Sequence, residues 1–193
     1  MTLMQRRARG GHDTDDLSIV PFRRRHLRQV LAIENQVYPR PWTPGVFSSE
    51  LAQVREGSRC YAVALIEGRV VGYGGLMFTD DGAHVTNIAV DPTRHRRGVG
   101  RRLLMHLIGM AREEGCDAMT LEVRVTNTAA QALYRQFGFA PAGIRKRYYE
   151  NTDDALVMWC HDLGGDDMSR RLTEAQRNTV SEAHHQAVSE EGA

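Results

Sequence analysis

The chain has few of the features that mark extracellular or metal-binding proteins. It contains only three cysteines in 193 residues, Cys60, Cys116 and Cys160, and no two of them form a C-x-x-C pair. This spacing argues against a disulfide framework and against a zinc site. We therefore expect no bound metal and a location in a reducing cytoplasm.

The sequence also lacks any apolar run close to the roughly 20 residues that span a bilayer. The N-terminus carries basic residues with no apolar segment behind them, so we expect no secretory signal. The formal net charge is only +1, which makes the molecule as a whole a poor electrostatic trap for nucleic acid. We expect neither a membrane nor a nucleic acid as a direct partner.

Composition divides the chain into three parts. Residues 1–16 are polar and glycine-containing and are expected to form a flexible arm. Residues 17–163 have the apolar patterning of one globular domain, and the overall apolar fraction of 41% is ordinary for a soluble protein. Residues 164–193 contain little apolar material, so we predict a polar, disordered C-terminal tail.

Hydrophobic periodicity within the domain predicts the element order β-α-α-β-β-β-α-β-α-β-β. Three strand-like runs between residues 60 and 90 are separated by short turn sequences, which indicates an antiparallel meander. A strand–helix–strand segment from 84 to 125 predicts a parallel pair. Thr128 with Gln131 resembles a capping box at the start of a later helix. The sequence thus predicts a mixed α/β (α+β) domain with a mostly antiparallel sheet.

The most informative segment runs from Asn87 to Leu104, where an apolar strand leads into a proline, an arginine-rich loop and the start of a helix. Glycine allows close approach of backbone N–H groups to an anion, and a helix N-terminus adds partial positive charge. The segment lacks the third glycine of a dinucleotide fingerprint and the G-K-[ST] of a Walker A loop. A polyphosphate site is favoured over a solvated basic turn that only caps the helix. A nucleic-acid patch is disfavoured because no aromatic residues interleave with the arginines.

Four ordered motifs resemble those of the Gcn5-related N-acetyltransferases, the GNAT superfamily: I-A-V-D-P, R-R-G-V-G-R-R-L-L, L-E-V-R-x-x-N and A-L-Y-x-x-x-G-F. The pieces P-R-P-W-T at 39–43 and R-K-R-Y-Y at 145–149 are similar to the RimI type, which acetylates the N-terminal alanine of ribosomal proteins. The resemblance covers residues 17–162. It implies a central mixed sheet with a splayed parallel strand pair.

The resemblance implies acetyl-CoA as cosubstrate and assigns residues to it. The backbone that would pair with the pantetheine arm belongs to Ile88, Ala89 and Val90. The residues that would surround the pyrophosphate are Arg96, Arg97, Gly98, Val99, Gly100 and Arg101. Asn127 would contact the cosubstrate from the next helix start. One departure is His95, where the family often has Gln or Arg.

The resemblance also implies a general base, Glu122, and a general acid, Tyr134. In a sheet covered on both faces, a carboxylate at position 122 is costly without a task or a partner. The competing interpretation of Glu122 is a salt bridge with Arg124. The competing interpretation of Tyr134 is a packed core tyrosine.

The residues expected to line a peptide groove are Trp42, Arg145, Tyr148 and Tyr149. Trp42 could equally anchor the loop between the first two helices. Strand alternation places Tyr148 and Tyr149 on opposite faces of the sheet, so at most one of them is expected to line the site directly.

The resemblance therefore implies transfer of acetyl from acetyl-CoA to the N-terminal alanine of a small-subunit ribosomal protein, by direct attack in a ternary complex. The oxyanion would be held by a backbone N–H near Ala89, and the enzyme would be a monomer or weak dimer. One alternative is a transferase of the same fold that acts on lysine or a small amine. A second is a non-catalytic adaptor that binds acetyl-CoA.

Overall fold

The computed structural model describes residues 17–191, with side chains through Thr179; the predicted arm at 1–16 lies outside the described residues. The strands are β1 (Ser18–Pro21), β2 (Arg59–Ile66), β3 (Arg69–Thr79), β4 (Gly82–Val90), β5 (Met119–Arg124), β6 (Ala140–Tyr149) and β7 (Asp153–Cys160). The helices are α1 (Leu27–Val37), α2 (Pro44–Arg55), α3 (Val99–Glu113), α4 (Thr128–Gln136) and α5 (Asp166–Glu191). No helix in this described part is both long and apolar enough to cross a membrane.

The seven strands form one sheet in the order β1-β2-β3-β4-β5-β7-β6. Every neighbouring pair is antiparallel except β4 and β5, which run parallel and are joined through α3. The predicted mixed fold with an antiparallel meander and one parallel pair is confirmed.

The parallel pair separates soon after it begins. Ladder pairing between β4 and β5 is confined to Ala83 with Met119 and His84 with Thr120. A bulge at Thr86 interrupts the β3–β4 register, since Gly75 pairs with Asn87 but Leu76 pairs with Val85. A bulge bends its strand and increases the local twist. The C-terminal half of β4 therefore diverges from β5, and the two strands form a V-shaped gap in the sheet.

Helix α3 covers one face of the sheet next to this opening. Its buried side chains recur at helical spacing and contact both the sheet and the later helices: Val99, Leu103, Leu104, Leu107, Ile108 and Ala111. A helix with one apolar stripe is held in place by burying that stripe. This packing fixes the position of the α3 N-terminus relative to the open end of β4.

Helices α1 and α2 cover the opposite face, but only over the N-terminal half of the sheet. The apolar cluster beneath them draws its buried strand residues from β2, β3 and β4. The Thr43 hydroxyl caps α2 by accepting from the Val46 N–H at 3.4 Å, with Pro44 at the first helical position. On β5 the same face carries Thr120, Glu122 and Arg124, each partly exposed. The expected coverage of both faces is therefore incomplete at β5.

Helix α4 begins differently from the prediction. Its N-cap is Asn127, whose side chain accepts a hydrogen bond from the Ala130 N–H at 3.1 Å. Thr128 is already the first helical residue, and Gln131 donates instead to the carbonyls of Arg124 and Val125. The N-cap therefore lies one residue before the predicted Thr128, because asparagine and threonine are both good caps.

The chain after Gly164 also differs from the predicted disordered tail. Met168, Leu172 and Ala175 recur at helical spacing along α5 and pack against the main apolar cluster, with Met168 fully inside it. The Arg171 guanidinium donates to the Gln136 carbonyl at the end of α4. Even a sparse apolar stripe can hold a helix when the domain supplies a surface for it.

Gly75 on β3 provides a test of how tightly the bulged region is packed. A Cβ at this position would lie 2.1 Å from the Tyr61 ring, which is itself buried. We expect Gly75→Ala to lower the free energy of unfolding by about 1–3 kcal/mol. The matched control is Gly109→Ala on α3, where a Cβ meets nothing within 4 Å and helix propensity improves by roughly 0.5–1 kcal/mol. Chemical denaturation measures both, and an equal response of the two variants would contradict this packing.

Candidate active site

The open edge of β4 exposes alternate backbone groups to the gap between the strands. The Asp91 N–H donates to the Val71 carbonyl of β3, and backbone groups in an antiparallel ladder alternate in direction. The backbone N–H and carbonyl of Ala89 therefore point toward β3, whereas those of Ile88 and Val90 point away from it. Consistent with this, the carbonyls of Ile88 and Val90 meet side chains, namely the Tyr38 hydroxyl at 3.2 Å and His95 Nε2 at 3.1 Å.

The loop that follows β4 turns sharply before α3. Arg96 and Gly98 both have positive φ angles, 61° and 71°, and Gly98 is the N-cap of α3 without a side-chain cap. The first N–H groups of a helix have no partner within it and attract anions. Arg97 and Arg101 flank this point in sequence. The loop thus brings positive charge and the first N–H groups of α3 to one point. That this point binds a phosphate stays a prediction.

Gly100 lies in the first turn of α3, between two neighbouring elements. A Cβ at this position would meet Leu133 and Val90 at 3.6 Å, which is ordinary van der Waals contact. The protein itself therefore has room for a larger residue here. A glycine that the packing does not require is well suited to close approach by a ligand.

Glu122 projects from β5 next to the point where β4 diverges. Its two carboxylate oxygens have different partners: Oε2 lies 3.1 Å from His84 Nε2, and Oε1 lies 3.1 Å from an Arg145 guanidinium nitrogen. Burial alone raises the pKa of Glu122, but the hydrogen bond and charge of His84 and the charge of Arg145 outweigh it and leave the pKa below its ordinary value. Glu122 is thus an ionised carboxylate at neutral pH.

Glu122 and Arg124 do not form the salt bridge that was the competing interpretation of Glu122. The Arg124 guanidinium instead binds the carboxylates of Glu150 and Asp153, and it lies 4.3 Å above the Tyr149 ring. Arg124 therefore ties β5 to the turn between β6 and β7. Two oppositely charged residues on the same face of one strand, such as Glu122 and Arg124, therefore need not pair with each other.

The prediction that Tyr148 and Tyr149 lie on opposite faces is wrong. Their ring centroids are 5.1 Å apart in an edge-to-face contact. The cause is a register shift between Arg145 and Tyr149 together with a positive φ of 50° at Arg147, which breaks the strand alternation. The Tyr149 hydroxyl donates to the Glu122 carbonyl at 3.1 Å. Arg145 lies near the face of the Tyr148 ring, at 5.5 Å from its centroid.

Tyr134 of α4 is buried, and its ring packs against Phe139 with centroids 6.0 Å apart. Burial raises its pKa, with a further contribution from the nearby Tyr149, so the phenol keeps its proton at neutral pH. The sequence did not indicate Tyr38, which lies near these two tyrosines. Burial is the main cause of its raised pKa, and the nearby Tyr134 and Tyr149 raise that pKa further. Of these tyrosines, Tyr38 lies directly at the open edge of β4, where its hydroxyl donates to the Ile88 carbonyl.

Glu34 is a second residue that the sequence analysis missed. Its carboxylate is buried and accepts hydrogen bonds from the Trp42 backbone N–H at 2.8 Å and from the Tyr73 hydroxyl. Burial raises the pKa of Glu34. Its place on the apolar stripe of α1, beside Val30 and Ile33, was the available signal. The Trp42 ring packs on Phe47 at 5.4 Å, contacts that suit the anchoring interpretation of Trp42.

A hydrogen-bonded chain leads from the surface to the bulge in β4. The Tyr61 hydroxyl lies 2.9 Å from both Glu50 and the Thr86 hydroxyl, and Thr86 contacts the Asn87 side-chain oxygen at 3.4 Å. The Asn87 amide nitrogen is buried and has no partner within the described residues. A buried donor without an acceptor is unfavourable. This position would gain from a ligand that brings an acceptor.

The profile of the acetyltransferase (GNAT) family matches residues 27–139. The [ribosomal protein bS18]-alanine N-acetyltransferase of Escherichia coli is 38% identical over 130 residues, which cover 65% of this chain and 84% of that protein. The N-alpha-acetyltransferase RimI of Mycobacterium tuberculosis is 37% identical over 76% of this chain and 93% of its own. The crystal structure of the E. coli ribosomal-protein-S18-alanine N-acetyltransferase superposes with a TM-score of 0.68, covering 76% of this chain and 94% of that one at 32% identity.

Gly100 provides the sharpest test of the loop as a ligand site. We expect Gly100→Ala to leave the free energy of unfolding unchanged or raise it slightly, since the protein has room for the added methyl group. We expect the dissociation constant for acetyl-CoA to rise about tenfold, which corresponds to about 1.4 kcal/mol. Calorimetric titration measures this, with Gly109→Ala as the control. Unchanged affinity would show that no ligand approaches Gly100 closely.

Proposed function

This chain belongs to the GNAT family of acetyltransferases, and we propose that it transfers acetyl from acetyl-CoA to the N-terminal α-amine of a protein. The observation that carries the proposal is the ionised Glu122 on β5, which His84 holds at the point where the β4–β5 ladder ends. The candidate acid is Tyr134 on α4, which is buried and keeps its proton. A base and an acid with opposite protonation states are what transfer from a thioester to an amine requires. The family and the two relatives named above support the same reaction class.

Acetyl-CoA fits the residues at the open edge. The N–H groups of Ile88 and Val90 are directed away from β3 and are available to amide groups of the pantetheine arm. The N-terminus of α3, with Gly98 and Gly100, suits the pyrophosphate. Asn127 is engaged as the cap of α4, so its predicted contact with the cosubstrate would have to come in addition to capping. Bound acetyl-CoA supplies the activated acetyl group.

Glu122 would act as the general base. The α-amine of a protein has an ordinary pKa of about 7.7–8.0, against about 10.4 for lysine, so a weak base suffices for it near neutral pH. Because both oxygens of Glu122 already accept hydrogen bonds, the carboxylate would take the proton through a water molecule. The free amine then attacks the thioester carbonyl and forms the new C–N bond without an acyl-enzyme.

The negative charge that develops on the carbonyl oxygen needs a fixed donor. The backbone N–H near Ala89 predicted for this role is best supplied by Ile88 or Val90, since Ala89 itself faces β3. When the C–S bond breaks, the sulfur of coenzyme A leaves as a thiolate and Tyr134 would donate its phenolic proton to it. Burial keeps that proton in place until the thiolate forms. The amine nitrogen releases its surplus proton to solvent, and the phenolate takes one back from solvent.

The acceptor would enter beside the paired tyrosines. Arg145, Tyr148 and Tyr149 surround the outer side of Glu122, and Trp42 anchors the loop on the other side. By analogy with the E. coli relative, the substrate would be the N-terminal alanine of ribosomal protein bS18, modified in the cytoplasm. A monomer or weak dimer stays a prediction.

Peptides that differ at one end test this function directly. We expect turnover of acetyl-CoA with a peptide carrying the bS18 N-terminus, and none with the same peptide blocked at its α-amine. A blocked peptide that contains lysine serves as the matched control. Turnover only on lysine or small amines would assign the enzyme to side-chain or small-amine acetylation. Saturable acetyl-CoA binding with no turnover on any amine would favour an adaptor.

Substitution of the two proposed catalytic side chains separates chemistry from binding. We expect Glu122→Gln to lower kcat by about 10²- to 10⁴-fold, and Tyr134→Phe to lower it by about 10²-fold, because each removes one proton transfer. The dissociation constant for acetyl-CoA should change little in either variant. Steady-state kinetics and calorimetry measure the two effects. Loss of acetyl-CoA affinity in the Glu122 variant would contradict its role as the base.

A further inference from the structure

The Glu122 carboxylate is held by two groups of unequal rigidity. Arg145 lies on β6, the outer strand of the sheet, and its side chain is 56% exposed. His84 lies on the central strand β4, and its side chain is only 21% exposed. The Glu122 side chain between them is 6% exposed. Of the two partners, His84 is the one that the fold holds in place.

We propose that His84 is the positioning residue for Glu122: its Nε2–H donates to Oε2 and fixes the orientation of the carboxylate at the opening of the strand pair. This inference rests on the proposed role of Glu122 as the base. It leaves Oε1 as the oxygen that serves the water molecule and the incoming amine. Arg145, which shares Oε1 in the free protein, is then available to the acceptor.

The register of the sheet explains why His84 is suited to this task. His84 pairs with Thr120 at the last rung before β4 and β5 separate, so its backbone is locked to the strand that carries Glu122. The Thr120 hydroxyl donates to the Met158 carbonyl at 3.1 Å and is engaged elsewhere. An ionised carboxylate only accepts hydrogen bonds, so His84 Nε2 carries the proton in this contact.

The charged and titratable surroundings of Glu122 make the effect of His84 measurable. Arg145, Tyr148 and Tyr149 approach from β6, and Tyr134 on α4 is near Tyr149. Arg124, on β5 itself, is neutralised by Glu150 and Asp153. The hydrogen bond and charge of His84 lower the pKa of Glu122. Removal of His84 therefore raises this pKa, and the base becomes protonated, and inactive, at a higher pH than in the wild type.

Three variants test the proposal. We expect His84→Ala to lower kcat by about 10- to 100-fold, as a misplaced catalytic group does, with the dissociation constant for acetyl-CoA unchanged. The acid limb of its kcat/KM profile should move to higher pH. The amide of His84→Gln can donate to Glu122 but carries no charge. We therefore expect this variant to recover much of the wild-type kcat, while its acid limb returns only part of the way to the wild-type pH. His106→Ala on α3 is the histidine control and should match the wild type.

The outcomes separate this inference from the proposed function. A wild type that acetylates an α-amine, with His84→Ala equal to it in kcat and acid limb, overturns the role of His84 and leaves the function standing. If the wild type acetylates no amine, the function fails, and carboxyl NMR titration of Glu122 then decides about the contact. If the Glu122 pKa is the same in His84→Gln, His84→Ala and the wild type, the proposed contact between His84 and Glu122 is overturned. A higher Glu122 pKa in His84→Ala supports the contact. If His84→Ala does not fold, His84→Gln is compared with the wild type by the same two readouts.

Discussion

The early end of the β4–β5 ladder is the constraint on which the rest of the site depends. Pairing stops after His84 and Thr120, and the bulge at Thr86 turns the remainder of β4 away. The N–H groups of Ile88 and Val90, which a neighbouring strand would otherwise satisfy, then face the gap, whereas their carbonyls contact Tyr38 and His95. The proposed function assigns these N–H groups to the amides of the pantetheine arm, because a buried N–H needs a partner.

The charges around Glu122 follow from the same gap. A carboxylate inside a continuous sheet would be expensive, but at the opening one face of β5 is partly exposed and two cationic or donor groups reach it. Two carboxylates, Glu34 and Glu122, occupy quite different settings. Burial raises the pKa of Glu34, which serves as an anchor, whereas His84 and Arg145 keep Glu122 ionised. Similar side chains thus take different roles according to their partners rather than their type.

Local patterning predicted most of the architecture. The amphipathic stripe of α3, the turns between the meander strands and the glycine loop all depend on neighbours in sequence, and the structure confirms them. Three predictions failed, for different reasons. The first part of the tail folded onto the domain, where tertiary packing overrides a local preference. The cap of α4 moved to Asn127 because two good capping residues compete, and Tyr148 meets Tyr149 because the strand alternation breaks at Arg147.

By itself, the sequence determined the order of the elements and the mixed sheet, because hydrophobic periodicity is a property of consecutive residues. Its resemblance to the GNAT family indicated Glu122 and Tyr134 as candidates. Tertiary structure alone decided which groups meet. It brought His84 and Arg145 to Glu122 and paired Arg124 with Glu150 and Asp153 instead. It also placed the Tyr38 hydroxyl on the Ile88 carbonyl and the Glu34 carboxylate on the Trp42 backbone N–H. Such pairings depend on strand register and on a bulge, and a shift of one residue would change every one of them.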